Sequence, residues 1–476
     1  MTDDVPTPMH DGLPGGSPDE STDVAPAMPA RRLHPAWTGM LVGVSVGLLA
    51  LLVSAANVWW SARGPASTAT PQQSEGTLQH LYVLAESSDE PLMRVRIGRA
   101  VERTTIGSPD HLDIGLVEDD APLRIPAPAT VTRSRTGWRI IDSAGGVHRF
   151  EASDTVRVAS LKDDLLTLDD VQLPGVVQLH PRKGDARRFD IVEHVSVEQY
   201  LPGVIAKELY PNWHPETFRA QAIAARSYGL HERQRRIARG DHFDVESTTQ
   251  DQAYGGATQN ARAHEAVRAT RGLVLTYRGS ILRAYYSSTT GGRAASARDT
   301  WPTSEGFEFN LAAPIQASPR DDADNFSPLF RWKVERTHDL LVDRIRRYGR
   351  DAKNSLRTVS SISTILPREV NEFGRPRTYT LSDKRGKTWT ISAESIRIAC
   401  NFTDGGKLPK VTRDKRVNSG DFEARRNGRT MIFTGRGFGH GVGMSQFGAE
   451  GKAREGQTAG EILEHYYPGA RVRRAY

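Results

Sequence analysis

One carboxylate in this chain occupies a position where a helical pattern calls for an apolar residue. In the segment SVEQYLPGVIAKELYPNW, one apolar stripe recurs at i, i+3, i+4 and i+8, formed by Leu201, Val204, Ile205 and Leu209. Glu208 fills the i+7 position of that stripe. Burial disfavours a charged carboxylate, and a protonated acid in an apolar wall can give its proton to a leaving oxygen. Glu208 is therefore a candidate general acid; the alternative is that it pairs with an arginine of the next helix.

The helix that carries Glu208 has a start signal and also a breaker. Ser196 and Gln199 match a capping box, which predicts a start at Ser196. Pro202 fits poorly inside a helix, so the helix could instead begin near Leu201, where a first-turn proline costs little. Either start keeps Glu208 on the apolar stripe.

A second helix is predicted to begin at Pro215 and to stop at Gly240. Its small residues Ala222, Ala225 and Gly229 would let another backbone approach closely. The polar residues within this otherwise tight surface are candidates for a binding role.

A glycine-rich segment, GRGFGHGVG, covers residues 435–443, with glycine at every second position. As a strand it would have one bare backbone face, and the other face would carry Arg436, Phe438, His440 and Val442. A bare face suits either the close approach of a flat sugar or tight packing against another backbone segment.

Composition excludes several kinds of site. The 476 residues predict about three domains. The single cysteine, Cys400, excludes an intramolecular disulfide and any CxxC zinc or redox motif. A P-loop, a GxSxG elbow and an HExxH motif are all missing from the sequence. The net charge is +6, but the arginines are dispersed without interleaved aromatic residues, so no nucleic-acid partner is expected.

A stretch without charged residues near the N-terminus predicts a membrane anchor. Residues 36–60 read AWTGMLVGVSVGLLALLVSAANVWW and are long enough to cross a bilayer as one helix. Arg31 and Arg32 precede this stretch, so the positive-inside rule leaves a disordered acidic tail, residues 1–35, in the cytoplasm and sends the C-terminal part outside. A cleaved signal peptide is the alternative, because Val53-Ser54-Ala55 resembles a cleavage site.

The rest of the chain predicts a linker and two further parts. Residues 61–80 are small and polar, which is typical of a tether. Residues 81–190 show short alternating runs and are predicted to be β-rich, whereas residues 191–476 mix helices and antiparallel-looking strands without a βαβ rhythm. The fold class is therefore α+β. Further elements are predicted in the last part: helices at 260–270, 338–348 and 459–466, and strands within 358–403.

Six segments lie in order between about residues 190 and 470: YLPGVIAKEL, HPETFRAQAIAARSY, STTQDQAYGG, AVRATRGLVLTYRGSILRAYYSSTTGG, GRGFGHGVGMSQFGAEGKAREG and ILEHYYPG. Together they resemble the stage II sporulation protein D family, of SpoIID/LytB type. The β-rich stretch before them also looks like the N-terminal part of that family.

The resemblance implies a cell-wall enzyme. Family members studied as enzymes are lytic transglycosylases, which cut the β-1,4 bond between N-acetylmuramic acid and N-acetylglucosamine in glycan strands stripped of stem peptides and leave 1,6-anhydro ends. The family's acid follows a YLxGVVxxE pattern, which falls on Glu208. Other residues in family-motif positions are candidates for lining the glycan groove: Gln221, Arg226, Tyr228, Tyr254, Arg436, His440, Ser445 and Gln446.

The sequence departs from the family in two places. Some members bind zinc through a His-Ser-Thr-Cys-Gly-Gly stretch, but residues 287–292 read SSTTGG, so neither a metal nor a cofactor is expected. The basic region 405–430 is not a family hallmark and is predicted to be an exposed loop or hairpin.

Two other functions stay open besides the enzyme. Part of the family is named for enhancing amidases, so the chain could be a non-catalytic glycan-binding enhancer of an N-acetylmuramoyl-L-alanine amidase. A scaffold of a wall-remodelling machine at the membrane is the third possibility.

Overall fold

The computed structural model describes residues 89–117, 121–161, 164–319 and 321–476. This part of the chain mixes α-helices with largely antiparallel sheets, as the α+β prediction requires.

Short strands dominate the first hundred described residues and, together with a two-residue strand at Val245–Glu246, form two sheets. The strands β1 to β13 are Leu92–Val101, Arg103–Gly107, His111–Leu116, Leu123–Pro126, Ala129–Ser134, Gly137–Ile141, Val147–Phe150, Val156–Ser160, Leu166–Leu168, Val171–Leu173, Val176–Pro181, Phe189–Ser196 and Val245–Glu246. One sheet has the order β13-β1-β12-β11-β8-β3-β4 and the other β10-β9-β2-β5-β6-β7. Only the pairing of β1 with β13 is parallel in these two sheets, as far as the described residues extend.

Three helices follow the last long strand of this β-rich part. They are α1 (Val197–Glu208), α2 (Pro215–Ala238) and α3 (Ala261–Ala269). Each begins at a residue whose side chain accepts a hydrogen bond from the first turn: Ser196, His214 and Asn260. The predicted starts of all three helices are confirmed, and α1 runs through Pro202 rather than beginning after it.

The remaining described elements form a second α+β region, and the last helices of the chain pack against α2. The helices α4 to α8 are Ala297–Thr300, His338–Asp351, Ala393–Asn401, Gln446–Arg454 and Ala459–Tyr466. The strands β14 to β24 are Leu273–Tyr277, Ser280–Ile281, Tyr286–Ser287, Arg331–Thr337, Thr364–Val370, Pro376–Ser382, Thr388–Ser392, Phe422–Asn427, Thr430–Arg436, Met444–Ser445 and Arg471–Arg474. Short 3-10 helices occupy Glu308–Leu311, Ala313–Ile315, Ser355–Thr358 and Arg413–Lys415.

Buried apolar residues form three clusters that hold these elements together. The largest joins the β-rich sheets to the apolar stripe of α1, including Leu201, Val204 and Ile205. A second cluster lies within residues 332–433, and a third packs the alanine-rich face of α2 against α7 and α8. The small side chains of α2 therefore serve close helix packing, which brings the C-terminal motif onto the helix that follows Glu208.

The membrane anchor in the fold-class prediction has to be corrected. The longest described helix, α2, is rich in arginine, and no helix within the described residues is both long enough and apolar enough to cross a bilayer. The predicted span 36–60, the tail 1–35 and the linker 61–80 lie outside the described residues. The structure thus gives no support to a single-pass anchor.

One prediction of local structure was also wrong, and another was incomplete. The glycine-rich segment is not a continuous strand: β22 ends at Arg436, and Gly437, Gly439, Gly441 and Gly443 have φ values of 73°, 98°, 75° and 71°. Such left-handed residues at every second position cannot form a pleated strand. Residues 358–403 contain three strands as predicted, but they end in the helix α6.

Candidate active site

Glu208 is the last residue of α1, at the end that emerges from the core. Its helix is fixed by the buried stripe on one side, while Leu209 caps the end by donating its backbone N–H to the Ile205 carbonyl. The Glu208 side chain is half-buried. The C-terminal end of a helix carries partial negative charge, so a carboxylate there has less support from the helix dipole than a cation would.

The carboxyl group of Glu208 is held by a residue from the other end of the chain. Gln446 Nε2 donates a hydrogen bond to Glu208 Oε2 at 2.9 Å. Gln446 is 2% exposed and is the first residue of α7, a helix whose N-cap is Ser445. Two of the predicted site residues, Glu208 and Gln446, are thus brought into direct contact.

Ser445, the residue before Gln446, is held in place by two hydrogen bonds of its hydroxyl group. Its hydroxyl accepts the Gly448 N–H at 3.2 Å, which caps α7, and donates to Asp324 Oδ2 at 3.1 Å. The same Asp324 oxygen accepts the backbone N–H groups of Thr290 and Gly291, at 2.7 and 3.1 Å. Because its one proton goes to Asp324 and it is 1% exposed, Ser445 positions Gln446 rather than facing an open groove.

Two hydroxyl groups and an amide that the sequence reasoning did not select form a hydrogen-bonded group within electrostatic range of Glu208. Gln252 Nε2 donates to the hydroxyl of Tyr286 at 2.9 Å, and the hydroxyl of Tyr200 donates to Gln252 Oε1 at 3.3 Å. Burial raises the pKa of both tyrosines well above its usual value, and the charge of Glu208 adds to that rise. Both phenols therefore remain protonated donors beside the carboxyl group.

These residues were visible in the sequence only as members of longer segments. Gln252 lies in STTQDQAYGG, and Tyr286 lies in the segment that ends in AYYSSTTGG. The available signal was a polar residue within one of the six segments that resemble the family. Asp324 lies outside all six segments, so nothing in the sequence pointed to it.

Gln221 lies on the same face of α2 as the contacts to α7 and Gln252. One turn before it, Thr217 donates to Glu450 of α7 at 2.8 Å; one turn after it, the carbonyl of Ala225 accepts from Gln252 at 3.2 Å. Gln221 is fully buried, and neither side-chain polar atom has a hydrogen-bond partner among the described residues. A buried amide without partners costs free energy, so it has donors and an acceptor available for a ligand.

An aromatic cluster follows Glu208 directly. The ring of Trp213 lies 5.2 Å from that of Tyr210 and 4.9 Å from that of Phe447, the residue after Gln446. Phe326 extends the cluster, with its ring 5.4 Å from Phe447 and 38% exposed. The cluster joins the two segments that carry Glu208 and Gln446, and Phe326 gives it an edge at the surface.

Arg226 does not lie beside Glu208. Its guanidinium group donates to both carboxylate oxygens of Glu198, at 2.9 and 2.8 Å, and to the Leu273 carbonyl at 3.1 Å. Glu198 is in the first turn of α1, about 15 Å along the helix axis from Glu208. Arg226 therefore fixes the start of the helix, and a direct contact with a sugar at Glu208 stays a prediction without geometric support.

Tyr228 belongs to a buried ionic cluster on α2. Its hydroxyl accepts a hydrogen bond from Arg283 at 2.9 Å and donates to Asp251 at 3.3 Å. Arg283 also lies 2.9 Å from the buried carboxylate of Glu232. The hydroxyl of Tyr228 is thus committed to protein partners, and burial raises its pKa well above the usual value.

Tyr254 packs against the middle of α1. Its ring lies 4.9 Å from that of Tyr200, and a Cβ added to Gly203 would lie 2.8 Å from the Tyr254 ring. Its neighbour Glu193 on β12 is fully buried, and this burial raises the pKa of Glu193 to about 7. Tyr254 therefore packs against α1 at Gly203, more than one helical turn before Glu208, and not beside the carboxyl group.

The glycine-rich segment packs on protein backbone rather than presenting a bare face. A Cβ at Gly443 would lie 1.9 Å from the Tyr285 carbonyl oxygen, and one at Gly437 would lie 2.6 Å from that of Thr289. His440, in the middle, lies 4.9 Å from the Trp301 ring, and burial lowers its pKa to about 4, so the imidazole is neutral near pH 7. Arg436 closes β22, where its backbone N–H donates to the Asp421 carbonyl at 2.9 Å.

The structure thus separates the predicted residues into two groups. Glu208, Gln446, Ser445 and Gln221 lie around the junction of α1, α2 and α7. The remaining candidates contact other parts of the fold: Arg226, Tyr228, Tyr254, Arg436 and His440. A half-buried carboxyl group, held by an amide and flanked by protonated phenols, can donate and then accept a proton.

Comparison with known proteins shows which family the segment around this junction is similar to. Residues 185–277 match the family model of SpoIID, described as stage II sporulation protein. The matched segment runs from β12 through β14 and contains Glu208, Gln221 and Gln252. This segment is therefore similar to the SpoIID family. The family resemblance seen in the sequence is confirmed.

Similarity to SpoIID proteins extends beyond the matched segment. The chain is 28% identical over 298 residues to the stage II sporulation protein D of Bacillus subtilis, covering 60% of this chain and 76% of that protein. It is 28% identical over 312 residues to an uncharacterized protein of Brachyspira hyodysenteriae, covering 65% and 74%. It is also 26% identical over 286 residues to the amidase enhancer of Bacillus subtilis, covering 56% of this chain but only 39% of that longer protein.

Proposed function

We propose that this SpoIID-family chain is a peptidoglycan-cleaving lytic transglycosylase in which Glu208 is the general acid and base. The family match and the relatives support a role related to peptidoglycan. The observation that carries the enzymatic part of the proposal is the hydrogen bond from Gln446 to Glu208 at 2.9 Å. It fixes one carboxyl group within electrostatic range of two buried, protonated phenols.

The proposed reaction breaks the β-1,4 bond between N-acetylmuramic acid and N-acetylglucosamine. Protonated Glu208 gives its proton to the glycosidic oxygen as the bond to C1 breaks and positive charge develops at C1. The resulting carboxylate takes the proton from the muramic acid O6 hydroxyl, and O6 attacks C1. The products are a new 1,6-anhydro end and a free hydroxyl on the leaving sugar, and Glu208 is protonated again.

Exclusion of water matters for this outcome, because water at C1 would give hydrolysis instead. Glycosidases that use water generally need a second carboxylate to activate it or to form a covalent intermediate. Here the residues in contact with Glu208 or close to it include an amide and two tyrosines, Gln446, Tyr200 and Tyr286. The Tyr286 hydroxyl accepts from Gln252 and keeps its own proton, so it can donate a hydrogen bond without competing for the proton that Glu208 transfers.

Because peptidoglycan lies outside the cytoplasmic membrane, the proposal places the described residues on the wall side of that membrane. Glycan strands are the proposed substrate, and a cell-wall amidase that removes stem peptides is the proposed partner. The mechanism uses no metal or cofactor.

The decisive experiment compares Glu208→Gln with the unchanged protein on amidase-treated glycan strands. We expect the unchanged protein to release fragments with anhydro ends, detected by mass, and the variant to be slower by about 10²–10⁴-fold, the usual contribution of general acid–base catalysis. Glu423→Gln, which changes an exposed carboxylate, is the matched control. Release by Glu208→Gln at the rate of the control would disprove the acid role.

Enhancement of an amidase is the second candidate function, favoured by the relative named amidase enhancer. In that case the unchanged protein would release no anhydro ends, yet it would raise the rate at which a purified cell-wall amidase strips peptides. Glu208→Gln would then enhance the amidase as well as the unchanged protein does.

A further inference from the structure

The segment of residues 321–326 lies along the helix α7. It reads DDADNF and is outside the six segments that resemble the family. Near the start of α7, the ring of Phe326 packs on the ring of Phe447, with their centres 5.4 Å apart. In the second half of α7, a Cβ added to Gly451 would lie 2.1 Å from the Ala323 carbonyl oxygen. The segment therefore contacts α7 in both of its halves.

Asp324 is the buried residue of this segment, with 1% of its surface exposed. Five donors converge on its Oδ2 atom: the hydroxyl groups of Thr289, Thr290 and Ser445 and the backbone N–H groups of Thr290 and Gly291. An ionised carboxylate suits this position because it only accepts hydrogen bonds, and bonds to a charged acceptor are stronger than bonds between neutral groups. Asp324 thus ties the turn at 289–291 to the start of α7.

One hydrogen bond joins Asp324 to the residue that caps α7. The single proton of the Ser445 hydroxyl goes to Asp324 at 3.1 Å, which leaves a lone pair for the Gly448 N–H at 3.2 Å. A negative charge beside the first turn of a helix is also stabilised by the helix dipole. Asp324 therefore fixes the cap, and the next residue after the cap is Gln446, which donates to Glu208.

We propose that Asp324 is a positioning residue for the cleavage reaction, because it fixes the start of α7 and thereby holds Gln446 against the Glu208 carboxyl group. This inference rests on the proposed function. Asp324 acts through Ser445 and Gln446 rather than on the substrate, so it is not a catalytic residue. Misplacement of a catalytic group slows the chemical step even when the substrate still binds. Removing the charge of Asp324 should therefore lower kcat and change KM little.

The test variant is Asp324→Asn, which keeps the size of the side chain and removes its charge. The matched control is Asp244→Asn, because Asp244 is also fully buried and accepts hydrogen bonds, from Arg94 of β1. Both variants lose a buried carboxylate, so a general loss of stability should affect both, and urea denaturation measures it. On amidase-treated strands we expect Asp324→Asn to lower kcat about tenfold. The control should keep the kcat of the unchanged protein at a temperature where it stays folded.

A double variant separates positioning from a general loss of structure. In Gln446→Met the bond to Glu208 is already missing, so adding Asp324→Asn should not lower kcat further. A further loss of about tenfold in the double variant would show that Asp324 acts by another route, and would overturn the inference. Should Asp324→Asn fail to fold, Ser445→Ala takes its place, since it removes the bond to Asp324 and leaves the other four donors on that carboxylate.

The side-chain amide of Gln446 reports the same contact without catalysis. Its NMR signal is assigned, in protein with isotope-labelled glutamine, by its loss in Gln446→Met. We expect Asp324→Asn to shift this signal, as Glu208→Gln should, and Asp244→Asn to leave it in place. An unshifted signal in Asp324→Asn, or a kcat equal to that of the control, would overturn the inference.

The two readouts let the two proposals fail separately. Cleavage by the unchanged protein, with neither kcat nor the amide signal changed in Asp324→Asn, removes the inference and leaves the enzyme. If the unchanged protein releases no anhydro ends, the proposed function fails, and the amide signal alone decides whether Asp324 holds Gln446 in place.

Discussion

The Nε2 atom of Gln446 donates a hydrogen bond to Oε2 of Glu208 at 2.9 Å, although the two residues are 238 positions apart. Each comes from the terminus of a helix: Glu208 ends α1 and Gln446 begins α7. Helix termini are fixed by their caps, so this contact joins two rigid elements rather than two loops.

Replacing Gln446 with methionine should leave the acid in place but free to rotate. We expect Gln446→Met to lower kcat by about 10–100-fold on amidase-treated strands, because misplacement of a catalytic group is costly even when binding is intact. KM should change little. The control is Gln172→Met at an exposed position. A rise in KM at constant kcat would show that Gln446 binds the sugar instead of positioning Glu208.

Replacing Gln221 with leucine should separate stability from binding. The buried amide has no partner among the described residues, so Gln221→Leu should keep or raise the free energy of unfolding, by up to about 1–3 kcal/mol. Affinity for glycan strands should fall, because the ligand loses the amide. Urea denaturation and anisotropy titration measure the two effects. Lower stability together with unchanged glycan affinity would contradict a ligand role for Gln221.

Adding a methyl group at Gly443 should disrupt the junction between the glycine-rich segment and β16. The new Cβ would lie 1.9 Å from the Tyr285 carbonyl oxygen. Gly456→Ala is the matched control, since Gly456 also has a positive φ but nothing within 4 Å of the added Cβ. We expect Gly443→Ala to cost about 1–3 kcal/mol more than the control in thermal denaturation. Equal losses would mean that left-handed backbone strain alone matters there.

Breaking the ion pair between Arg226 and Glu198 should destabilise the fold. Arg226 is fully buried, so Arg226→Met leaves the Glu198 carboxylate without its partner and should cost about 3–5 kcal/mol. The double variant Arg226→Met/Glu198→Gln should recover part of that loss. At a temperature where the variants stay folded, kcat should be nearly unchanged. A large loss of kcat in a fully folded Arg226→Met protein would instead restore Arg226 as a sugar ligand.

Glu193 should make stability depend on pH. Burial raises its pKa to about 7 in the folded protein, above the ordinary value of 4.5. Between these two values the folded state keeps the proton and the unfolded chain loses it, so stability falls as pH rises from about 4.5 to about 7. Glu193→Gln should remove that loss, on the order of 3 kcal/mol.

The measurement is urea denaturation at about pH 5 and about pH 8, with Glu423→Gln at an exposed carboxylate as the control. Histidines of lowered pKa, such as His180 and His194, change stability in the opposite direction, so only the difference between variants isolates Glu193. An identical pH dependence in Glu193→Gln and the unchanged protein would exclude Glu193 as its source.

Local signals predicted much of the secondary structure. The cap at Ser196, the first-turn proline at Pro215 and the apolar stripe that ends near Glu208 all act within a few residues, and the structure has helices where they predict them. The strand predicted through the glycine-rich segment was wrong because alternation of residue type does not reveal the sign of φ. Pro202 lies inside α1 because the buried stripe on both sides of it holds the helix together.

The sequence by itself determined that Glu208 would lie on the apolar stripe of a helix and that a glycine-rich segment would permit close backbone approach. Tertiary structure alone decided which polar groups surround that carboxyl group: Gln446 from α7 donates to it, and Tyr286 of β16, bonded to Gln252, lies within its electrostatic range. It also placed Arg226 in an ion pair with Glu198 and Tyr228 in hydrogen bonds with Arg283 and Asp251. The physical reason is the distance along the chain over which each kind of interaction acts. Caps and periodicity act over a few residues, whereas these contacts depend on how three hydrophobic cores pack together, and no local pattern encodes that packing.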